Sequence, residues 1–75
     1  HTKLDVVLYP NPATDHLYVS TDKPATIKMY DMAGRLIKNQ AYVTSGVSIS
    51  ELNPGMYVVE ITIDNVKSVQ KIIKR

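Results

Sequence analysis

The sequence predicts an all-β fold, an antiparallel sandwich of about seven short strands. Three observations lead to this fold class. Apolar and polar residues alternate with a period of two in most segments. Residues that favour turns separate these segments at intervals of about 8–12 residues. No segment combines a helical period with capping residues at its ends.

The strand candidates follow one another closely along the chain. The alternation is clearest late in the sequence, where Tyr57, Val59 and Ile61 share one face of a strand and are predicted to enter the core. In chain order, the candidates are Val6–Tyr9, His16–Ser20, Thr26–Asp31, Arg35–Val43, Val47–Ser50, Met56–Ile63 and Val66–Lys74.

Turn-forming residues account for the breaks between these strands. Asp64-Asn65 is predicted to form a two-residue hairpin loop, because both residues tolerate a positive φ. Asp31–Arg35 is predicted to form another hairpin loop with Gly34 in the left-handed region. Ser50 is able to cap one helical turn before Pro54. The other breaks are Asn11-Pro12, Asp22–Pro24, Ser45-Gly46 and Asn53–Gly55.

The segment LYPNPATD, Leu8–Asp15, forms the first of these breaks. Pro10 and Pro12 have no N–H to donate to a ladder, so strand pairing is expected to end there. Asn11 is a natural turn former. We expect this segment to build the fold and not to contact a partner.

The size and charge of the chain restrict its function. Seventy-five residues make one domain, 1–75. A deep active-site cleft would remove part of a core that is already small in a chain of this size, which argues against an enzyme. The net charge is +2, and Val66–Arg75 holds four of the nine basic residues and no acid. The basic character therefore belongs to the last strand alone.

The sequence lacks the residues that several classes of functional site require. There is no cysteine, no apolar run long enough to span a membrane, and no recognisable signal peptide. His1 is treated as a tag remnant, and His16 is expected to face solvent at the start of a strand. No metal site, cofactor or nucleophile with its base is predicted. Aspartates that would bind calcium are dispersed over separate turns: Asp15, Asp22, Asp31 and Asp64.

The five tyrosines suggest stacking on sugars or nucleic acid, but a structural role is favoured. Tyr57 belongs to a predicted core face, and the others suit a half-buried sheet surface. Nucleic acid would require basic residues along the same face, whereas the bases lie at one end. Tyr9, Tyr18, Tyr30 and Tyr42 are the tyrosines outside the predicted core.

The basic segment KSVQKIIKR leaves two interpretations open. A strand that carries cations is suited to recognition by a receptor. The same lysines keep a hydrophobic edge strand soluble and block aggregation, and the residues alone favour this second role.

Four segments, in order, resemble one family: LYPNPATDHLYV, IKMYDMAGRLI, ISELNPGMYVVEI and KIIKR. They are similar to the family's Tyr-Pro-Asn-Pro opening, its Asp-x-x-Gly-Arg/Lys hairpin, its Leu-x-x-Gly-x-Tyr segment and its basic, apolar terminus. The family is the C-terminal sorting domain of proteins exported by the type IX (Por) secretion system of Bacteroidota. The resemblance extends from about Leu8 to Arg75.

The resemblance implies an immunoglobulin-like sandwich without catalytic activity. The domain would be the last part of a larger precursor, such as a protease, an adhesin or a glycan-degrading enzyme. It would direct the precursor from the periplasm through the outer-membrane translocon to the cell surface. A sortase-like protease commonly removes such a domain and attaches the cargo to anionic lipopolysaccharide, whereas some members of the family are retained uncleaved. The cleavage site would lie before or near residue 1.

The resemblance also assigns residues. Translocon recognition is assigned to Lys71, Ile72, Ile73, Lys74 and Arg75. The structural motifs of the family match Tyr9, Pro10, Asn11, Pro12, Gly34, Gly55 and Tyr57. Gly55 is expected to give the turn its free φ, and Tyr57 to anchor the following strand.

The expected partners are translocon and sortase components and the cargo domain of the same precursor, with no nucleic acid and no membrane insertion. An alternative is an accessory adhesion or carbohydrate-binding module, which should expose an aromatic platform. A structural spacer is a third reading. Strand exchange between two copies is an open alternative for the oligomeric state, because a small sandwich has exposed edges.

Overall fold

The computed structural model describes residues 6–21 and 23–75. These residues form seven strands and no helix, which confirms the predicted all-β class. The strands are β1 (Leu8–Tyr9), β2 (His16–Val19), β3 (Thr26–Tyr30), β4 (Leu36–Ala41), β5 (Val47–Ser48), β6 (Gly55–Ile63) and β7 (Val66–Lys74).

Two antiparallel sheets make up the immunoglobulin-like sandwich. One has the strand order β1-β2-β5, and the other has the order β4-β3-β6-β7. The pairing of β6 with β7 is the longest, running from Gly55 opposite Lys74 to Ile63 opposite Val66. β7 is therefore an edge strand of the larger sheet, and its outer edge faces away from β6.

The core lies between the inward faces of the two sheets. In β6 the inward residues are Tyr57, Val59, Ile61 and Ile63, as the alternation predicted. The largest side chains that are fully buried come from both sheets: Leu17, Ile27, Met29, Val47, Ile49, Val59, Ile61 and Ile72. Inward and outward residues alternate because successive side chains of a strand point to opposite faces.

Both predicted hairpin loops are present. Asp64 and Asn65 have φ values of 52° and 65°, and Gly34 has a φ of 88°. At Ser50 a single hydrogen-bonded turn forms, in which the N–H of Leu52 donates to the carbonyl of Ile49, and no helix follows. The predicted turn residue Asp22 lies outside the described residues.

The β3–β4 hairpin is held by the carboxylate of Asp31. Its Oδ1 accepts hydrogen bonds from the backbone N–H groups of Arg35 and Ala33, at 3.0 and 2.9 Å, and its Oδ2 pairs with Nε of Arg35 at 2.8 Å. The bond from the Arg35 N–H is the main cause that holds the pKa of Asp31 below its ordinary value.

The hairpin is expected to lose this stabilisation in acid. Because the pKa of Asp31 is lowered by folding, the stabilisation is complete above the ordinary carboxyl pKa and is lost as the pH falls through the lowered one. An NMR titration of the Asp31 carboxyl and of the Ala33 and Arg35 amides measures this transition. In Asp31→Asn the same amides should show no acid step, and a step that persists there would contradict the assignment.

Candidate recognition site at the end of the last strand

The five residues assigned to translocon recognition lie together at the end of β7 but on two faces. Ile72 is 1% exposed and packs in the core, opposite Tyr57 in β6. Lys74 is 8% exposed, opposite Gly55. Lys71, Ile73 and Arg75 are exposed. In the folded domain, only these last three side chains are open to a partner.

Lys74 is the one buried charged residue among the described residues. Its Nζ donates a hydrogen bond to the carbonyl of Arg75 at 2.7 Å, which partly compensates for its removal from water. Its cation is therefore separated from the face on which Lys71 and Arg75 lie.

A segment from the other end of the sequence lies along the outer edge of β7. The N–H of Ala13 donates to the carbonyl of Ile73 at 2.8 Å, and the carbonyl of Ala13 accepts from the N–H of Arg75 at 2.8 Å. These two bonds make Ala13 a parallel bridge partner of Lys74. Ala13 is completely buried, so a short side chain suits this close approach.

The side chain of Asn11 extends this parallel pairing by one step. Its Oδ1 accepts from the N–H of Ile73 at 3.1 Å, and its Nδ2 donates to the carbonyl of Lys71 at 3.4 Å. A carboxamide carries one acceptor and two donors, so it replaces the C=O and N–H of a strand residue. The amide thus bridges Ile72 as Ala13 bridges Lys74.

We call Asn11, Pro12 and Ala13 the edge clamp. The clamp satisfies four backbone groups on the outer edge of β7, the carbonyls of Lys71 and Ile73 and the N–H groups of Ile73 and Arg75. An edge strand with unpaired groups invites pairing with other chains. The clamp closes this edge at the end of β7.

The prediction that pairing ends at the prolines holds only for the ladder between β1 and β2, which ends at Tyr9. Pairing resumes at Ala13 with a different strand. Sequence periodicity missed the role of Ala13, because the partners lie 60 residues apart and the Asn11 bonds come from a side chain. The sequence held one signal for this contact, because both segments belong to motifs of the same family.

The other motif residues position the neighbouring strand. Gly55 has a φ of 153°, which confirms the expected positive φ at the start of β6. The hydroxyl of Tyr57 donates to the carbonyl of Asn53 at 2.6 Å, so this buried side chain ties the loop before β6 to the core. Gly34 lies apart from these residues in the β3–β4 hairpin.

Three rings lie together on the outward face of the smaller sheet. Tyr9 and Tyr18 have ring centroids 5.7 Å apart and planes 26° apart. His16 and Tyr18 have centroids 6.3 Å apart and planes 21° apart. As predicted, His16 is exposed at the start of a strand. Gly46 packs against Tyr18, where a Cβ would lie 2.7 Å from its ring.

The residues described by the structure gather no group of three or more His, Asp or Glu side chains able to hold a metal ion. Within that same part of the chain, no helix has the length and apolar character needed to cross a bilayer. Each buried polar side-chain atom of the described residues has a hydrogen-bond partner. The end of β7 presents backbone, apolar and cationic groups.

The fold and this site define a class of protein, a small immunoglobulin-like sandwich whose basic last strand is clamped at its outer edge by the segment after β1. The sequence profile of the family described as "Secretion system C-terminal sorting domain" matches residues 7–75. The chain belongs to this family.

One relative and one solved structure are similar to this chain over most of its length. Beta-agarase D of Zobellia galactanivorans is 31% identical over 55 residues, which cover 73% of this chain and 12% of the agarase. A structure of PorZ, described as a surface component of the type-IX secretion system of Porphyromonas gingivalis, superposes with a TM-score of 0.69. It is 20% identical, over 93% of this chain and 11% of the PorZ chain, so the likeness concerns the fold.

The chain spans a small part of the length of either protein. As a member of its family, it is a C-terminal sorting signal of the type IX secretion system, which confirms the predicted role. Such domains are in general non-catalytic, and their route leads to the cell surface or the space outside.

Proposed function

We propose that the domain directs a larger cargo protein through the outer-membrane translocon by presenting the folded end of β7. The observation that supports this most is the alternation at that end. Ile72 and Lys74 are buried, whereas Lys71, Ile73 and Arg75 are exposed and the backbone between them is held by the edge clamp. In this proposal, the recognition signal is a folded surface and not an unstructured peptide.

The remaining steps of the proposal come from the family. The cargo domain precedes the sandwich in one precursor, and the short share of each relative that the chain covers supports a larger protein. At the surface, a sortase-like protease removes the domain and attaches the cargo to anionic lipopolysaccharide. The unit that is removed is the sandwich domain, with the cleavage site before or near residue 1.

A reporter fusion tests the sorting role. A reporter with an N-terminal export signal and this domain at its C-terminus is produced in a Bacteroidota host, and its surface fraction is measured. We expect the intact domain to reach the surface and the variant without residues 71–75 to remain periplasmic. Because that deletion also removes the buried Ile72, the charge variant Lys71→Gln/Arg75→Gln is measured beside it.

The control for the charge variant is Lys23→Gln, which removes an exposed cation elsewhere on the domain. Export should fall in the charge variant and not in the control. Equal export of the intact domain and both variants of the β7 end would contradict the proposal.

A carbohydrate-binding module is the second candidate, and one observation favours it. Tyr9, Tyr18 and His16 form a set of nearly parallel rings on an outward face, and aromatic rings can stack on the apolar faces of sugars. Such binding would survive neutralisation of Lys71 and Arg75, whereas sorting would not. The same charge variant therefore separates the two functions.

We propose that a strand-exchanged homodimer is accessible to the isolated domain. The ladder to β6 and the bonds of the edge clamp involve only groups that a second copy also carries. Sedimentation at increasing concentration measures this state, and a monomer at every concentration would rule it out.

A further inference from the structure

The outward face of the larger sheet carries a continuous group of apolar side chains beside the recognition site. Leu36 in β4 is opposite Tyr30 in β3, and Tyr30 is opposite Val58 in β6. Met56 in β6 is opposite Ile73 in β7. We call these five residues the apolar face. It extends from the far edge strand of the sheet to the end of β7.

These side chains are not shielded by the domain itself. Leu36 is 50% exposed, and Met56 and Ile73 are each 44% exposed, while Tyr30 and Val58 lie half-buried between them. Single exposed apolar residues are normal, but a contiguous group marks an interaction site. Half of the exposed large apolar side chains among the described residues lie on this one sheet face: Leu36, Met56, Val69 and Ile73.

Cations outnumber acids around this group. Lys71 is opposite Val58, and Lys28 is opposite Glu60, whose carboxylate lies 4.0 Å from the amine of Lys67. Three lysines on this face therefore stand against one glutamate, and neither Lys28 nor Lys71 forms an ion pair with a carboxylate of the described residues. Carboxylates on whatever covers the apolar face would complement this excess of positive charge.

The shape of the surface favours a protein over a lipid membrane. The apolar side chains rise from a hydrogen-bonded sheet and are each about half covered by their neighbours. Membrane-surface binding requires apolar groups that enter the bilayer by about 5–10 Å, usually from an amphipathic helix. A rigid, shallow surface instead matches a folded partner with little ordering cost.

We propose that the apolar face is a docking surface for an acidic, partly apolar site on a protein of the secretion machinery. This inference rests on the proposed sorting function and extends its recognition site from the end of β7 across the sheet to Leu36. The partner contacts Leu36, Met56 and Ile73 through apolar groups and Lys71 and Lys28 through carboxylates.

Charge substitutions at Leu36 test the surface, because this residue is far from the last strand in sequence and is not a core residue. In the reporter fusion, we expect Leu36→Glu to lower the surface fraction about tenfold, by repelling the carboxylates of the partner. Leu36→Lys removes the same apolar contact without repulsion and should cost clearly less. The control is Val43→Glu, since Val43 is 52% exposed away from this face and should leave export unchanged.

The melting temperature of each variant is measured on the purified domain, and we expect all three to stay close to the unsubstituted protein. Equal export of Leu36→Glu and the unsubstituted fusion would overturn the docking surface while leaving the sorting function intact. Equal losses for Leu36→Glu and Leu36→Lys would overturn the acidic partner. Failure of the unsubstituted fusion to reach the surface would overturn the sorting function and this inference together.

Flotation with vesicles that contain anionic lipid examines the alternative occupant. We expect the purified domain to remain in the unbound fraction. Co-flotation that is lost in Leu36→Glu and kept in Val43→Glu would assign the apolar face to a membrane and overturn the protein partner.

Discussion

Replacing Ile72 with alanine is expected to lower the free energy of unfolding by about 2–4 kcal/mol. The side chain is 1% exposed and lies in the core opposite Tyr57, so truncation removes apolar contacts and leaves a cavity. For a domain of this size, the loss corresponds to a decrease of roughly 10 °C or more in melting temperature. Thermal and urea unfolding of the purified domain, followed by circular dichroism, measure the effect.

Ile73→Ala is the matched control for this variant. The two residues are adjacent and identical, but Ile73 is 44% exposed on the apolar face. Its truncation should cost less than about 1 kcal/mol of stability. Similar unfolding curves for the two variants would mean that the end of β7 does not pack as described.

The same two alanine variants distinguish a folded recognition signal from a linear one. If the secretion machinery reads an extended peptide, both alanine variants should impair export of the reporter to the same degree. If it reads the folded surface, Ile73→Ala should impair export without loss of stability, and the defect of Ile72→Ala should diminish at lower growth temperature.

Substitution of Asn11 has the second largest expected effect. Asn11→Ala removes both side-chain bonds of the edge clamp and should lower the free energy of unfolding by about 1–2 kcal/mol. The N–H of Ile73 loses its acceptor, so its amide should exchange with solvent much faster than in the unsubstituted domain. Hydrogen exchange measured by NMR at this amide is the direct readout.

Asn11→Asp separates the effects of the two side-chain hydrogen bonds that Asn11 makes. The carboxylate keeps an acceptor for the N–H of Ile73 but places an oxygen without a proton against the carbonyl of Lys71. We expect an intermediate loss of stability that diminishes when acid protonates the new carboxyl group and restores a donor. Asn39→Asp in β4, at an exposed position, should have little effect. Unchanged exchange at Ile73 in Asn11→Ala would contradict the clamp.

Local patterns in the sequence were sufficient for the strands and turns. Alternation placed Tyr57, Val59 and Ile61 in the core, since the side-chain period of a strand is two. Turn chemistry placed the Asp64-Asn65 and Gly34 loops, because few residues accept a positive φ. Strand ends were less accurate: β1 begins at Leu8 and β5 ends at Ser48, both shorter than predicted. Pairing partners, which a single segment does not reveal, decide where a strand ends.

The candidate site likewise has features that the sequence predicted and features that only the structure shows. The sequence by itself determined the seven strands and the family, and it singled out Asn11 and Lys71–Arg75 as parts of separate motifs. Only the tertiary structure joined these motifs, because the clamp bonds connect residues at opposite ends of the chain. The tertiary structure also decided which of the five terminal side chains are available to a partner, because burial depends on the register of β7 against β6. That register places Ile72 and Lys74 inward and leaves the other three side chains outward: Lys71, Ile73 and Arg75.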